Sequence, residues 1–348
     1  MSPRVQKSVP FREAPQWSTP ISELRLTIEG TALAPVVDEL RRELAAAGIT
    51  RVRPEFYLST EWGVPFGSVA IAIPFYLASA ELTALHDEQV GHVEGLGPAD
   101  VLRYLRHETG HVLNYAYRLY EEEEWIQRFG SIALPYAEDY RPHPFSKGFV
   151  RHLPGWYAQK HPDEDWAETF AVWLTPGSDW RRDYGDWPVA RGKLEYCERV
   201  MRGLADREPA EHSRERDEDV AQLHYSLEHF YRASYLPEAS LPHWLDGALV
   251  SMFDGRASSP DGAPRKPASL LFERLERDLM ASVHRWTGHF PERTRSLVRR
   301  LGARSDVLGL HYLAEREVST TVDITTLVGA LAMTYVHGGD YAGGDHSP

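Results

Sequence analysis

The chain has 348 residues, 42% of them hydrophobic, with 10 Trp and 17 Tyr, which is material for one large domain or two of ordinary size. Its formal net charge of −13 argues against nucleic acid or an anionic membrane as a main partner, since both would repel it. Cys197 is the single cysteine, which excludes a disulfide framework and a paired-cysteine metal knuckle and fits a reducing cytoplasm.

The opening stretch, residues 1–20, is rich in proline and charge and carries no apolar run of signal-peptide length, so it reads as a flexible lead-in. "ELRLTIEG" predicts a strand, and "APVVDELRRELAAAG" an amphipathic helix closed by Gly48. Two β-type runs, "RPEFYLST" and "GSVAIAIPFYL", flank a Gly/Pro turn and predict a small sheet with one helix packed on it. The second run could be a central strand, or could offer an edge to an extended peptide. This run and "TTLVGALAMTYV" fall short of the roughly 18 apolar residues of a membrane span, so the protein is expected to be soluble.

"PADVLRYLRHETGHVLNYAYRLYEEEE" predicts one long helix, with Val101, Leu105, Val112, Ala116 and Leu119 at helical spacing and Asp100 suiting its dipole. A proline-rich loop over 130–160 leads to a second helix, "PDEDWAETFAVWLTP", from Pro162 to a stop at Pro176 and Gly177. "ARGKLEYCERVMRGLAD" predicts a further helix. One unit is therefore expected over 21–204, then a charged linker over 205–219, a helical region over 220–338 and a flexible tail over 339–348. Helical segments are expected near 220–235, 269–287, 292–303 and 321–336, with a Pro/Ser/Gly loop at 256–268. In the second of these, Leu271, Leu275, Leu279, Val283 and Trp286 form an apolar stripe that predicts packing.

Within the long helix, His107-Glu108-Thr109-Gly110-His111 is an HExxH string. Residues four apart share a helical face, so the two imidazoles can hold one ion, with Glu108 beside an attacking water. Catalytic zinc takes three protein ligands, so a third must come from elsewhere. The metzincin extension would place Gly and then His where Asn114 and Tyr117 stand, which excludes that class. The other source is a Glu on a later helix. Glu164 and Glu168 lie four apart in "HPDEDWAETFAVWL", with Trp166, Phe170 and Trp173 available to anchor that helix in the core. One such carboxylate can bind the metal while the other holds a ligand imidazole by its free N–H. His86 and His92 in "HDEQVGH" would share a helical face poorly, and His143, His152 and His161 read as surface residues. No GxSxG, Gly-rich phosphate loop or paired-Cys ligand set is present, so serine hydrolase, nucleotide-binding and zinc-finger readings lack support.

"LRHETGH" and, after a gap, "GWYAQKHPDEDWAETFAVWL" resemble the bacterial zinc-binding metallopeptidases, whose second helix carries an HPxEDWAET-type pattern. They resemble more loosely the catalytic domain of anthrax lethal factor and other gluzincins. The resemblance covers roughly residues 50 to 200 and is concentrated in the two helices. It implies an α+β fold with a gluzincin-like core, made of a small mixed sheet, the HExxH helix and a Glu-bearing helix, with a mainly α-helical C-terminal region after it. It further implies one Zn2+ per chain, held by His107, His111 and Glu164. Glu168 then stands behind a ligand imidazole, and Tyr157, seven residues before Glu164, faces the zinc. A register one turn along would make Glu168 the ligand instead.

The activity this implies is zinc-dependent hydrolysis of a peptide or protein substrate, with Glu108 as the base and Tyr157 donating to the oxyanion. A zinc-dependent amide hydrolase with a non-protein substrate is the nearest alternative. A non-catalytic metal-binding interaction protein is a third, against which Glu108 counts, because a structural zinc site needs no base.

Overall fold

The computed structural model describes residues 17–90, 92–136, 140, 142–143, 145–233, 241–242, 244–253 and 265–341. The lead-in up to residue 16, the greater part of the 256–268 loop and the tail after Tyr341 lie outside the described residues. The architecture is mixed α and β, dominated by helices, with two small two-stranded sheets among the described residues. No helix among the described residues is long and apolar enough to cross a membrane.

Trp17 is buried and stacks on Tyr231 at 5.7 Å between ring centres. The strand expected over "ELRLTIEG" does not form: Ile21–Leu24 is a 3-10 turn. The backbone N–H groups of Ile21 and Ser22 donate to Tyr225 O and Leu223 O, each at 3.0 Å, so this segment pairs with a later loop. Helix α1 (Leu33–Ala46) buries Val36, Val37, Leu40 and Leu44, and Gly48 follows it with φ +80°, a turn that glycine makes without strain. Glu43 on the same buried face is held by Arg106, Nη2 to Oε1 2.6 Å.

Strands β1 (Glu55–Ser59) and β2 (Ala70–Pro74) pair in parallel, with Tyr57 opposite Ala72. Every residue of β2 is buried, and Ala72 N donates to Gly63 O at 2.8 Å on the strand's other side. The edge of β2 facing away from β1, considered for a peptide, is thus taken at Ala72 by the chain's own backbone.

Helices α2 (Ala80–Val90) and α3 (Pro98–Tyr117) follow. The single long helix expected from 98 onward is broken. Arg118 takes the left-handed conformation (φ 53°), a 3-10 turn covers Leu119–Glu121, and α4 (Glu123–Phe129) sets off anew. Leu119, Trp125 and Phe129 are all buried, and the break lets the chain turn them into the core. Helix α5 (Pro162–Leu174) packs on α3, α7 (Pro188–Leu204) packs on α5, and the short α6 (Trp180–Asp183) packs on α7.

Residues 205–219, expected as a linker from their charge, are tied down through their backbone. Ala210 N donates to Ala116 O at 2.7 Å, Val69 N to Ser213 O at 2.8 Å, and Ser68 Oγ to Glu215 O at 2.8 Å. Charged side chains face solvent while carbonyls bond the sheet, which composition alone does not disclose. Val220, Leu223, Leu227 and Tyr231, the last two in α8 (Leu227–Ala233), then join the first hydrophobic core.

A second core is built from α9 (Leu245–Met252), α10 (Ala268–Thr287), α11 (Pro291–Val307) and α12 (Glu317–Gly338). Strands β3 (Arg265–Pro267) and β4 (His311–Leu313) pair antiparallel beside it. The stripe on α10 buries Leu271, Leu279 and Val283 as expected, but Trp286 is 63% exposed and does not join it. The two cores meet where Arg295 Nη2 donates to Glu88 O at 2.7 Å and the His92 and His284 rings approach to 5.9 Å.

His86 belongs to the first core's periphery, stacked on Tyr76 at 3.6 Å with Tyr231 Oη 3.3 Å from its Nδ1. Burial, with His92 adding to it, lowers its pKa to about 3. A base depressed in the folded state contributes stability that is complete above the ordinary value of about 6.5 and is lost as pH falls towards the folded value. Urea unfolding at pH 5 should therefore show wild type losing about 2 kcal/mol through this group relative to pH 7.5. A His86→Phe variant should lack that share of the acid sensitivity.

Candidate metal centre

The site forms where α3 and α5 cross. At the crossing an added Cβ on Gly110 would stand 2.7 Å from Ala167 Cα and 3.2 Å from Ala167 O. Only glycine lets the two backbones approach so closely. Trp166 Nε1 donates to Gly110 O at 2.8 Å and locks the approach, with Trp166 and Phe170 fully buried. Gly110→Ala should force the helices apart, costing about 1–3 kcal/mol as overpacking does. Thermal unfolding would show the loss, and metal affinity should fall with it because Glu164 moves with α5.

His107 and His111 on α3 and Glu164 on α5 bring one donor atom each to a common point, and all three are buried. His107 Nε2 lies 3.0 Å from Glu164 Oε2, His111 Nε2 lies 3.3 Å from the same oxygen, and the two Nε2 atoms are 3.2 Å apart. Ligands bonded at about 2.0–2.1 Å around a tetrahedral ion stand about 3.3 Å from one another, the edge of the tetrahedron. The three separations therefore fit one bound metal ion. Two imidazole nitrogens and a carboxylate oxygen are also donors of the right chemistry.

Behind these atoms stand two carboxylates. Glu168, fully buried, accepts from His107 Nδ1 at 2.9 Å, and also from His152 N at 2.7 Å and Leu153 N at 2.9 Å. A carboxylate acceptor there keeps the proton on Nδ1 and turns the Nε2 lone pair to the centre. Asp163 Oδ2 lies 3.0 Å from His111 Nδ1, the matching position on the second histidine. Asn114 Nδ2 donates to Asp163 Oδ1 at 2.6 Å and Tyr115 Oη to Oδ2 at 2.5 Å, with Tyr136 Oη at 3.4 Å. Sequence reasoning missed Asp163, which looks like an ordinary acid in the first turn of α5. Its place directly before Glu164, in "PDEDWAE", is the signal that could have found it.

The cluster is set up to hold positive charge. Burial opposes a charge on His107, but its hydrogen bonds to Glu164 and Glu168 outweigh this and raise its pKa to about 9. His111 is likewise held well above its usual value by Asp163 and Glu164, against burial. Glu164 and Asp163 are driven low by the imidazoles beside them although burial resists. Glu108, buried one position round from His107, has its carboxyl pushed up by burial and by Glu164 and Asp163, with the two histidines only partly offsetting it. A carboxylate made more basic in this way is suited to taking a proton.

Tyr157 packs its ring edge-on against His107 at 5.6 Å, and burial with nearby Glu164 raises its phenol well above the usual value, so it stays a donor. It is placed by Gly155 (φ 79°) and Trp156 (φ 63°), the latter a conformation that bulky residues rarely adopt. Arg151 holds the Trp156 ring, with its guanidinium 3.7 Å from the Trp156 ring centre and 4.4 Å from that of Trp187. Tyr140 Oη donates to Gly155 O at 2.5 Å.

Two histidines expected on the surface are structural instead. His161 is buried, caps α5 by accepting from Asp163 N at 3.2 Å, and reaches Leu134 O at 2.8 Å through Nε2. His152 bonds Arg103 O at 3.0 Å through Nε2, which fixes the loop that delivers its own N–H to Glu168. The 13-residue α5 is therefore held at its start by His161, at its middle by Trp166, and on its far side by the Lys193–Asp165 pair at 2.5 Å. The chain matches no family model, no curated protein and no solved structure.

Proposed function

We propose that the chain is a zinc-dependent metallopeptidase with a gluzincin-like centre, in which His107, His111 and Glu164 hold one Zn2+. The observation that carries the reading is the set of three donor separations, 3.0, 3.2 and 3.3 Å, with a buried Glu108 beside them. A His2Glu donor set with its atoms 3.0–3.3 Å apart would suit zinc above the harder divalent cations, which prefer more oxygen ligands. Zinc bound there supplies a Lewis acid that acidifies water and polarises a carbonyl.

The protein's own groups do the rest. Glu108 takes the proton of the attacking water and passes it to the leaving amine, a transfer its raised pKa favours. Tyr157, kept protonated by burial, donates a hydrogen bond to the oxygen on which negative charge gathers. Glu168 holds the His107 imidazole in the tautomer and orientation that binding requires, and the Asp163 carboxylate stands 3.0 Å behind His111 Nδ1.

The test is cleavage of casein and of a mixed peptide library by the zinc-loaded protein and by the same protein after chelation. Cleavage that vanishes on chelation and returns with added zinc is the expected result. Zinc-dependent turnover of small amides with every peptide left intact would favour the non-protein amide hydrolase, and no turnover of either would favour an interaction protein.

A further inference from the structure

Lys160 precedes the residue that caps α5 and is half-buried. Its Nζ lies 3.3 Å from Tyr157 Oη, 5.0 Å from the centre of the Tyr157 ring and 5.8 Å from the centre of the Tyr136 ring. Each of these tyrosines touches a group of the metal centre. Tyr157 packs on His107, and Tyr136 Oη stands 3.4 Å from the Asp163 oxygen behind His111. The ammonium therefore lies beside two tyrosines that each contact the centre.

Among the described residues no carboxylate comes within 4 Å of this ammonium, and Tyr157 Oη accepts one of its three N–H donors. Of the other cations in partly or wholly buried positions, Arg106 is paired with Glu43, Lys193 with Asp165 and Arg295 with Glu276, while Arg293 rests on Tyr335 of the second core. Glu61 feels the charge of Lys160 but is not within ion-pairing distance of its ammonium. A half-desolvated ammonium between two aromatic faces gains from their π clouds but is far better matched by an anion.

We propose that Lys160 receives a carboxylate of the substrate, so that the substrates are peptides or amides bearing a free carboxylate close to the bond that is cut. This rests on the metallohydrolase reading of the same site. Lys160 then sets specificity: its ammonium meets the anion while the metal centre meets the scissile carbonyl and the Tyr157 hydroxyl, which accepts from Lys160, keeps its own proton for the oxyanion.

The test is calorimetric binding of two probes to the zinc-loaded full chain. These are 3-phenylpropanoate and 2-benzylsuccinate, which share the phenylpropanoate framework and differ by one carboxymethyl group. Wild type should bind the dicarboxylate about tenfold tighter, the size expected of one charge-assisted hydrogen bond. Lys160→Met and Lys160→Gln should each bring the two probes within about twofold, with zinc content and 3-phenylpropanoate affinity unchanged, and Lys160→Arg should keep most of the preference. Equal affinities in wild type, or a preference that Lys160→Met retains, would overturn the inference while zinc stays bound. A wild type that holds no zinc would overturn the metallohydrolase reading and this inference with it.

Discussion

Replacing Glu108 with Gln should lower turnover by about 10²–10⁴-fold, the range a positioned acid–base group contributes, and leave the zinc content unchanged. The amide keeps the shape and most of the hydrogen bonding of the carboxyl but cannot take a proton. Glu108 is not among the three donors that converge on the centre, so the cage of His107, His111 and Glu164 stays whole. Its carboxyl lies above the ordinary range because of burial first, with Glu164 and Asp163 adding to it. Activity that depends on Glu108 as a base should therefore rise with pH along a limb set above the usual carboxylate range, and the variant should lack that limb. Parallel loss of metal and activity would instead make Glu108 a structural element of the site.

Lys193→Met should have the largest effect on stability, about 3–5 kcal/mol, because it strands Asp165 in the interior. The pair joins α5 to α7 with Nζ 2.5 Å from Oδ2, and both side chains are buried. Among the described residues Asp165 Oδ1 has no hydrogen-bond partner, and burial pushes the carboxyl up to about 7, with Lys193 pulling the other way. Without the lysine the carboxyl is driven higher still, so the penalty is greatest above pH 7 and shrinks as the group takes up a proton at lower pH. Denaturant unfolding at pH 8 and pH 5.5 would show the variant's deficit narrowing on the acid side. Adding Asp165→Asn should recover part of the loss at pH 8, since it removes the stranded charge.

Much of the centre was legible in the sequence because it rests on short-range regularities. His107 and His111 four apart on an amphipathic helix, and Glu164 and Glu168 four apart on a later one, must each share a helical face. Trp166 and Phe170 then had to point inward, as they do. What escaped were features decided by tertiary contact. Asp163 looks like a first-turn acid until His111 arrives beside it. The left-handed Arg118 is set by the burial of Trp125 and Phe129 beyond it, not by any local breaker. Residues 205–219 have the composition of a linker, and only the hydrogen bonds to Ala116, Ser68 and Val69 show them held to the first core. Gly110 reads as a neutral filler within the motif, and its importance comes from Ala167 on the facing helix.

The central claim, a single zinc held by two histidines of α3 and one glutamate of α5, is tested most directly by metal analysis of the purified protein. Wild type should carry one zinc per chain, and His111→Ala and Glu164→Ala should each lose it, while Glu168→Ala weakens binding by about 10–100-fold, as loss of a supporting carboxylate does. Zinc retained at full occupancy by Glu164→Ala, or no metal in wild type, would contradict the account.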